Sequence, residues 1–252
     1  MNVVVDGLIT NYHKTGSGKT IILLHGWGSS KETFKDIESH LKDHNSLLAV
    51  DLPGFGGTQP PPKTWNLEDY ALFVAAWLAK IGENKTHAIV GHSFGGSIAI
   101  KGLSTSILSA DKLILLASAG VRKHKNSRKR LLKATAKSGK IATFILPHQI
   151  QAKVRNKFYK AIDSDSNLLP NMEVTFRLIV GEDVQSAAKK LQLPTLLVYG
   201  NEDRNTPLRY GEILARLIPS AKLDVLPGVG HFPHEEQPVI VSQKITEFLE
   251  KK

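Results

Sequence analysis

The run Gly91-His92-Ser93-Phe94-Gly95-Gly96 carries the strongest chemical signal in the chain. It lies between a short apolar stretch, residues 86–92, and an apolar stretch of helical spacing, residues 97–104. G-x-S-x-G in that place demands a sharp strand-to-helix turn that exposes the serine hydroxyl. The helix beginning near Phe94 then offers its first free amide, that of Phe94, to a negative charge developing beside Ser93. A serine hydroxyl is a weak nucleophile and needs a base oriented by an acid. Of ten histidines, His231 stands in a Gly/Pro-rich loop just past a predicted strand, and Asp203 follows another strand in the same way. All three residues follow carboxyl ends of strands, where open α/β sheets bind ligands. They suit acyl transfer, with Ser93 as nucleophile, His231 as base and Asp203 as orienting acid. Glu202 is the alternative acid.

Other runs read more plainly. Gly16-Ser17-Gly18-Lys19-Thr20 resembles the end of a phosphate-binding loop. The full pattern needs glycine where His13 stands, and a helix where a strand follows. His231 and His234 flank Phe232-Pro233, which precludes a helical metal-binding face, and no third ligand is in sight. No metal is expected. His25 and His92 read as packing and hydrogen-bonding residues rather than second bases.

The surrounding elements alternate. Residues 3–13 read as a hairpin turning at Asp6-Gly7. Continuous Val/Ile/Leu runs at 20–26, 46–52, 86–92, 112–120, 194–203 and 222–228 read as strands buried on both faces. Apolar residues at helical spacing mark 31–42, 66–82, 207–218 and 238–250. The pattern predicts an α/β fold, a mostly parallel sheet of about eight strands flanked by helices. Residues 121–190 break the alternation and hold only helix-forming runs. They read as a helical cap inserted between two parts of one core, 1–120 and 191–252.

On these residues the chain resembles the α/β-hydrolase superfamily. The matching runs are His25-Gly26-Trp27-Gly28, Asp51-Leu52-Pro53-Gly54-Phe55-Gly56, Gly91 to Gly96, Gly200-Asn201-Glu202-Asp203 and Gly230-His231. The resemblance implies that the amide of Trp27 joins that of Phe94 as an oxyanion hole, and that 121–190 is the lid. It implies a serine hydrolase cleaving an ester or related acyl bond of a small molecule, with no cofactor. Ser93 stands where epoxide hydrolases and haloalkane dehalogenases carry aspartate. Related capped enzymes use the same triad to hydrolyse a carbon–carbon bond in a vinylogous diketone acid, and that alternative stays open. A receptor holding a small ligand in the same site is a further one.

Composition narrows the partners. The chain has 252 residues and no cysteine, which excludes disulfide frameworks, thiolate metal sites and cysteine nucleophiles. The longest apolar run, 113–121, is too short to span a bilayer. No leader pattern is read at the start, so the cytoplasm is the expected location. The net charge is +10. Residues 121–190 hold 16 Lys+Arg and 5 Asp+Glu, a net +11, which leaves −1 for the remainder. The excess is densest at 122–140, where Lys129, Lys133, Lys137 and Lys140 mark a basic amphipathic helix. A solvated helix face is the ordinary reading. Weak contact with an anionic membrane and recognition of acidic substrates are the others. Nucleic acid is not expected, because aromatic interleaving and known binding modules are absent. Oligomeric state is not legible in the sequence.

Overall fold

In the computed structural model, which describes residues 1–83, 85–122 and 170–251, eight strands form one sheet. They are β1 (Asn2–Val5), β2 (Leu8–Gly16), β3 (Lys19–Leu24), β4 (Asn45–Val50), β5 (Ala88–His92), β6 (Lys112–Leu116), β7 (Thr195–Gly200) and β8 (Ala221–Leu226). Their order across the sheet is β1-β2-β4-β3-β5-β6-β7-β8. Asp6 and Gly7, with φ of 47° and 82°, turn β1 into antiparallel β2, as the Asp-Gly pair predicts. β2 also runs antiparallel to β4, and the five remaining neighbouring pairs are parallel.

Side chains alternate across the pleat, so each central strand feeds two cores. On one face Ile21, Leu23, Leu47, Val90, Ile114 and Val198 meet Phe34, Ile37 and Leu41 from the start of the chain. Val241, Ile245 and Leu249 complete that core. The elements carrying these groups are a 3-10 turn (Lys31–Phe34), α1 (Lys35–Leu41) and, at the end of the chain, Pro238–Glu250. The opposite face is covered by α2 (Leu67–Lys80) and α3 (Phe94–Ser104), which bury Tyr70, Val74, Trp77 and Ile98 completely. Each such large apolar side chain contributes roughly 1.5–3 kcal/mol of transfer free energy.

Polar groups fix the helix ends. Asn66 and Asp69 form a reciprocal capping box at the start of α2. The buried ammonium of Lys112 donates to the carbonyls of Phe248, Leu249 and Lys251 at 2.9, 2.8 and 2.6 Å. It thereby caps the last helix and ties it to β6.

The chain divides into two compact units, Met1–Val121 with Leu169–Lys252, and Arg122–Leu168. Of the segment 121–190 that the sequence reads as a helical cap, residues 123–169 lie outside the described residues. So does nearly all of the basic run 122–140. Residues 170–190 belong to the larger unit and carry α4 (Pro170–Gly181) and α5 (Gln185–Ala188). Thr175 of α4 accepts from the amide of Trp65, and Glu182 just beyond it accepts from that of Leu67. After β7 come α6 (Leu208–Leu217), the single turn α7 (Pro233–Glu236) and α8 (Pro238–Glu250). Among the described residues no helix is long and apolar enough to cross a membrane.

The strand expected at 112–120 ends at Leu116. Ala117 takes a positive φ of 46°, which turns residues 117–120 into a loop beside the site although their composition stays apolar. The turn α7 falls where the sequence reads only a Gly/Pro loop.

His13 on β2 bonds both carboxylate oxygens of buried Glu38 at 2.8 Å. That bond raises the imidazole above its ordinary 6.5. A raised imidazole stabilises the fold fully below the unfolded value and loses that contribution as pH rises through the folded one. Urea unfolding at about pH 6 and about pH 8 should therefore show a loss of stability in the wild type that His13→Gln lacks. An identical difference in both proteins would count against the pair.

Candidate active site

Ser93 sits between the end of β5 and the start of α3 with φ 49° and ψ −108°. Its amide donates to Leu116 and its carbonyl accepts from Ala119, so the loop after β6 holds the turn from the side. Gly95 follows because a Cβ there would lie 2.0 Å from the carbonyl oxygen of Leu24. The turn leaves Ser93 part-exposed while His92 and Phe94 on either side are buried.

The predicted partners meet it. His231 Nε2 lies 3.2 Å from Ser93 Oγ, and His231 Nδ1 lies 2.8 Å from Asp203 Oδ2. Asp203 is buried in the loop after β7, whereas Glu202 is exposed. The geometry therefore selects Asp203 over its neighbour. A carboxylate only accepts, so Nδ1 carries the proton and the Nε2 lone pair faces the serine hydroxyl. Burial alone would raise the Asp203 carboxyl. Bonds from His231 and from the side chain and amide of Thr206 outweigh it and hold the group below its ordinary value.

Thr206 is a site residue that the sequence reading did not single out. Its hydroxyl lies 2.7 Å from Asp203 Oδ2, 3.1 Å from His231 Nδ1 and 2.8 Å from the carbonyl of Ala117. Its amide, with that of Asn205, donates to Asp203 Oδ1. The readable signal was a threonine three residues after the acid, the spacing of a side-chain-capped turn.

The loop after β3 brings Trp27 beside the serine turn. The rings of Trp27 and Phe94 lie 5.4 Å apart, with Phe55 at 4.8 Å and Phe176 of α4 at 5.2 Å from Trp27. Among the described residues neither the amide of Trp27 nor that of Phe94 has an acceptor in the protein. Both remain available to an oxyanion. His25 Nδ1 donates to Gly26, and His25 Nε2 accepts from the amide of Leu52. Both nitrogens are committed in the neutral form, and burial pushes the group down to about 4. Fully buried Asp51 accepts from the amide and ammonium of Lys31 at 2.7 and 3.0 Å and from the amide of Gly57 at 2.8 Å. These bonds tie the loop after β3 to the loop after β4.

The remaining motifs take structural places. The run Gly16 to Thr20 passes from β2 directly into β3. His234 faces Thr33, with Nε2 2.9 Å from its hydroxyl, and burial pushes its imidazole down to about 3. Among the described residues no group of three His, Asp or Glu side chains could hold a metal.

The sequence profile of the alpha/beta hydrolase family matches residues 21–243. The chain is 26% identical over 262 residues to the uncharacterized hydrolase YugF of Bacillus subtilis, covering 97% of this chain and 96% of that one. It is 24% identical over 272 residues to a 2-hydroxy-6-oxo-6-(2'-aminophenyl)hexa-2,4-dienoic acid hydrolase of Metapseudomonas resinovorans, covering 99% and 90%. Its fold is similar to that of a thermophilic esterase from Thermogutta terrifontis, with a TM-score of 0.73, 23% identity and coverage of 99% and 97%.

The depressed carboxyl has a consequence for acid stability. The contribution of Asp203 is present above its unfolded value, near 3.8, and is lost as pH falls through the lower folded value. Acid unfolding of Asp203→Asn should accordingly be less steep below about pH 4 than that of the wild type. Superimposable acid limbs would show that the carboxylate is not held this way.

Proposed function

The chain belongs to the alpha/beta hydrolase family, and from that premise we propose that it is a serine hydrolase of small-molecule esters or related acyl compounds. The observation that supports this reading is the ring of His231, bonded on one side to buried Asp203 and on the other to Ser93 on its left-handed turn.

Ser93 Oγ attacks the acyl carbonyl as His231 Nε2 takes the hydroxyl proton. The imidazolium that forms is stabilised by Asp203, whose bonds keep it ionised. The amides of Trp27 and Phe94 receive the oxyanion, a contribution of roughly 3–4 kcal/mol for each such donor. His231 returns the proton to the leaving alcohol. Water, deprotonated by the same nitrogen, then attacks the acyl-serine and releases the acid. Every proton passes through one nitrogen, and no cofactor enters.

The aromatic wall of Trp27, Phe55, Phe94 and Phe176 supports an apolar group on the substrate, stacked beside the reacting carbonyl. The relative from Metapseudomonas resinovorans, named as a dienoic acid hydrolase, favours a second reading, carbon–carbon bond cleavage of a diketone acid. There His231 would shuttle a proton to carbon before or during attack. An acidic substrate of either kind would also suit the basic run at 122–140.

Fluorophosphonate labelling and turnover of p-nitrophenyl esters test the proposal. The wild type should be labelled, and Ser93→Ala should lose labelling and at least about 10⁴-fold in kcat. Labelling that persists in Ser93→Ala, or a wild type inert to both, would defeat it. A panel of neutral esters, acidic esters and a vinylogous diketone acid ranks the substrates. Turnover of the diketone acid alone would establish the second reading.

A further inference from the structure

Two side chains outside the Ser93, His231 and Asp203 set hold the backbone that carries His231. His92 Nε2 lies 2.9 Å from the carbonyl oxygen of His231. A carbonyl cannot donate, so Nε2 carries a proton and donates it to that oxygen. Glu236 reaches back from α7 to take the two flanking amides, that of Gly230 at 2.7 Å and that of Phe232 at 3.1 Å. Three main-chain groups around His231, the Gly230 amide, the His231 carbonyl and the Phe232 amide, are thus each held by a side chain. Asp203 and Ser93 meet the two nitrogens of the His231 ring itself.

His92 is placed against three loops of the site. It is covalently joined to Ser93. Its donor holds the His231 loop. Its other nitrogen, Nδ1, is buried with no partner among the described residues and faces the loop after β3. Gly26 is a glycine there because a Cβ would lie 2.9 Å from that nitrogen. The His92 ring also lies 4.9 Å from the His231 ring. At that separation a charged neighbour would oppose the proton that His231 must accept. Burial, with His234 and His231 nearby, keeps the His92 imidazole well below its ordinary range.

We propose that His92, seconded by Glu236, is a positioning residue that fixes the His231 main chain against the Ser93 turn and so sets the Nε2 to Oγ distance. The inference rests on the serine-hydrolase reading above. It goes further by assigning a role in catalysis to two groups that touch no substrate.

Four proteins test it: wild type, His92→Gln, His92→Asn and Glu236→Ala. Glutamine places an amide N–H near the position of Nε2, and asparagine is too short to reach the carbonyl. Ester hydrolysis by His92→Asn should fall about 10- to 100-fold in kcat with KM unchanged, the scale of a misplaced catalytic group. His92→Gln should return to within about threefold of the wild type, and Glu236→Ala should lose about threefold to tenfold in kcat. A downfield proton resonance from the His231 Nδ1–H bond to Asp203 should be retained in His92→Gln and broadened in His92→Asn. The proposal is overturned if His92→Asn keeps wild-type kcat, if glutamine restores nothing, or if the losses fall on KM. Should His92→Asn fail to fold, Glu236→Ala carries the test on the same kcat criterion. A wild type inert to esters and to the fluorophosphonate would sink the hydrolase reading itself. The downfield resonance would then decide the clamp alone, and its persistence unchanged in His92→Asn or Glu236→Ala would overturn it.

Discussion

A serine at φ 49° lies in a region that side chains with a Cβ rarely adopt, at a cost of order 1–3 kcal/mol. The turn persists only because its surroundings leave no relaxed alternative. Leu116 and Ala119 hold the serine's amide and carbonyl, and α3 begins at the next residue. Gly95 lets that helix come down onto the carbonyl of Leu24. The central position of β5, between β3 and β6, supplies these supports. This turn places the part-exposed hydroxyl, the Phe94 amide, which has no acceptor among the described residues, and the side that His231 approaches.

The loops near the serine are also held by committed polar groups. His25 uses both ring nitrogens, Asp51 accepts three bonds, and Asp203 accepts from two amides, the Thr206 hydroxyl and His231. Each carries a loop to its neighbour, so that loops from distant parts of the chain behave as one surface. A partly satisfied network in a low-dielectric setting would destabilise the site more than apolar packing would. The neutral imidazoles of His25, His92 and His234 leave His231 as the one ring of the four bonded to both a carboxylate and the serine hydroxyl.

Much of this was legible in the residues. The elbow, the strand alternation and the order Ser93, Asp203, His231 are local or periodic signals, and each survives in the folded chain. Two signals misled for identifiable reasons. Residues 117–120 look like strand because they are small and apolar, yet the backbone at Ala117 leaves the β region. Residues 232–237 look like loop because they lie between the Pro227-Gly228-Val229-Gly230 run and Pro238, yet Pro233 opens a helical turn whose last residue reaches back to the main chain beside His231. The choice between Glu202 and Asp203 needed a fact about direction, namely which carboxylate the turn points inward.

By itself the sequence determined the architecture and the residue types at three strand ends, because hydrophobic period and turn chemistry are properties of neighbours along the chain. Tertiary structure alone decided which polar groups hold those residues in register. His92 meets a carbonyl 139 positions away, Thr33 meets His234 across 201, and Thr206 meets Ala117 across 89. No local pattern encodes such pairs. They form where strands far apart in sequence lie side by side in the sheet, and where a buried donor must find an acceptor or lose its hydration uncompensated.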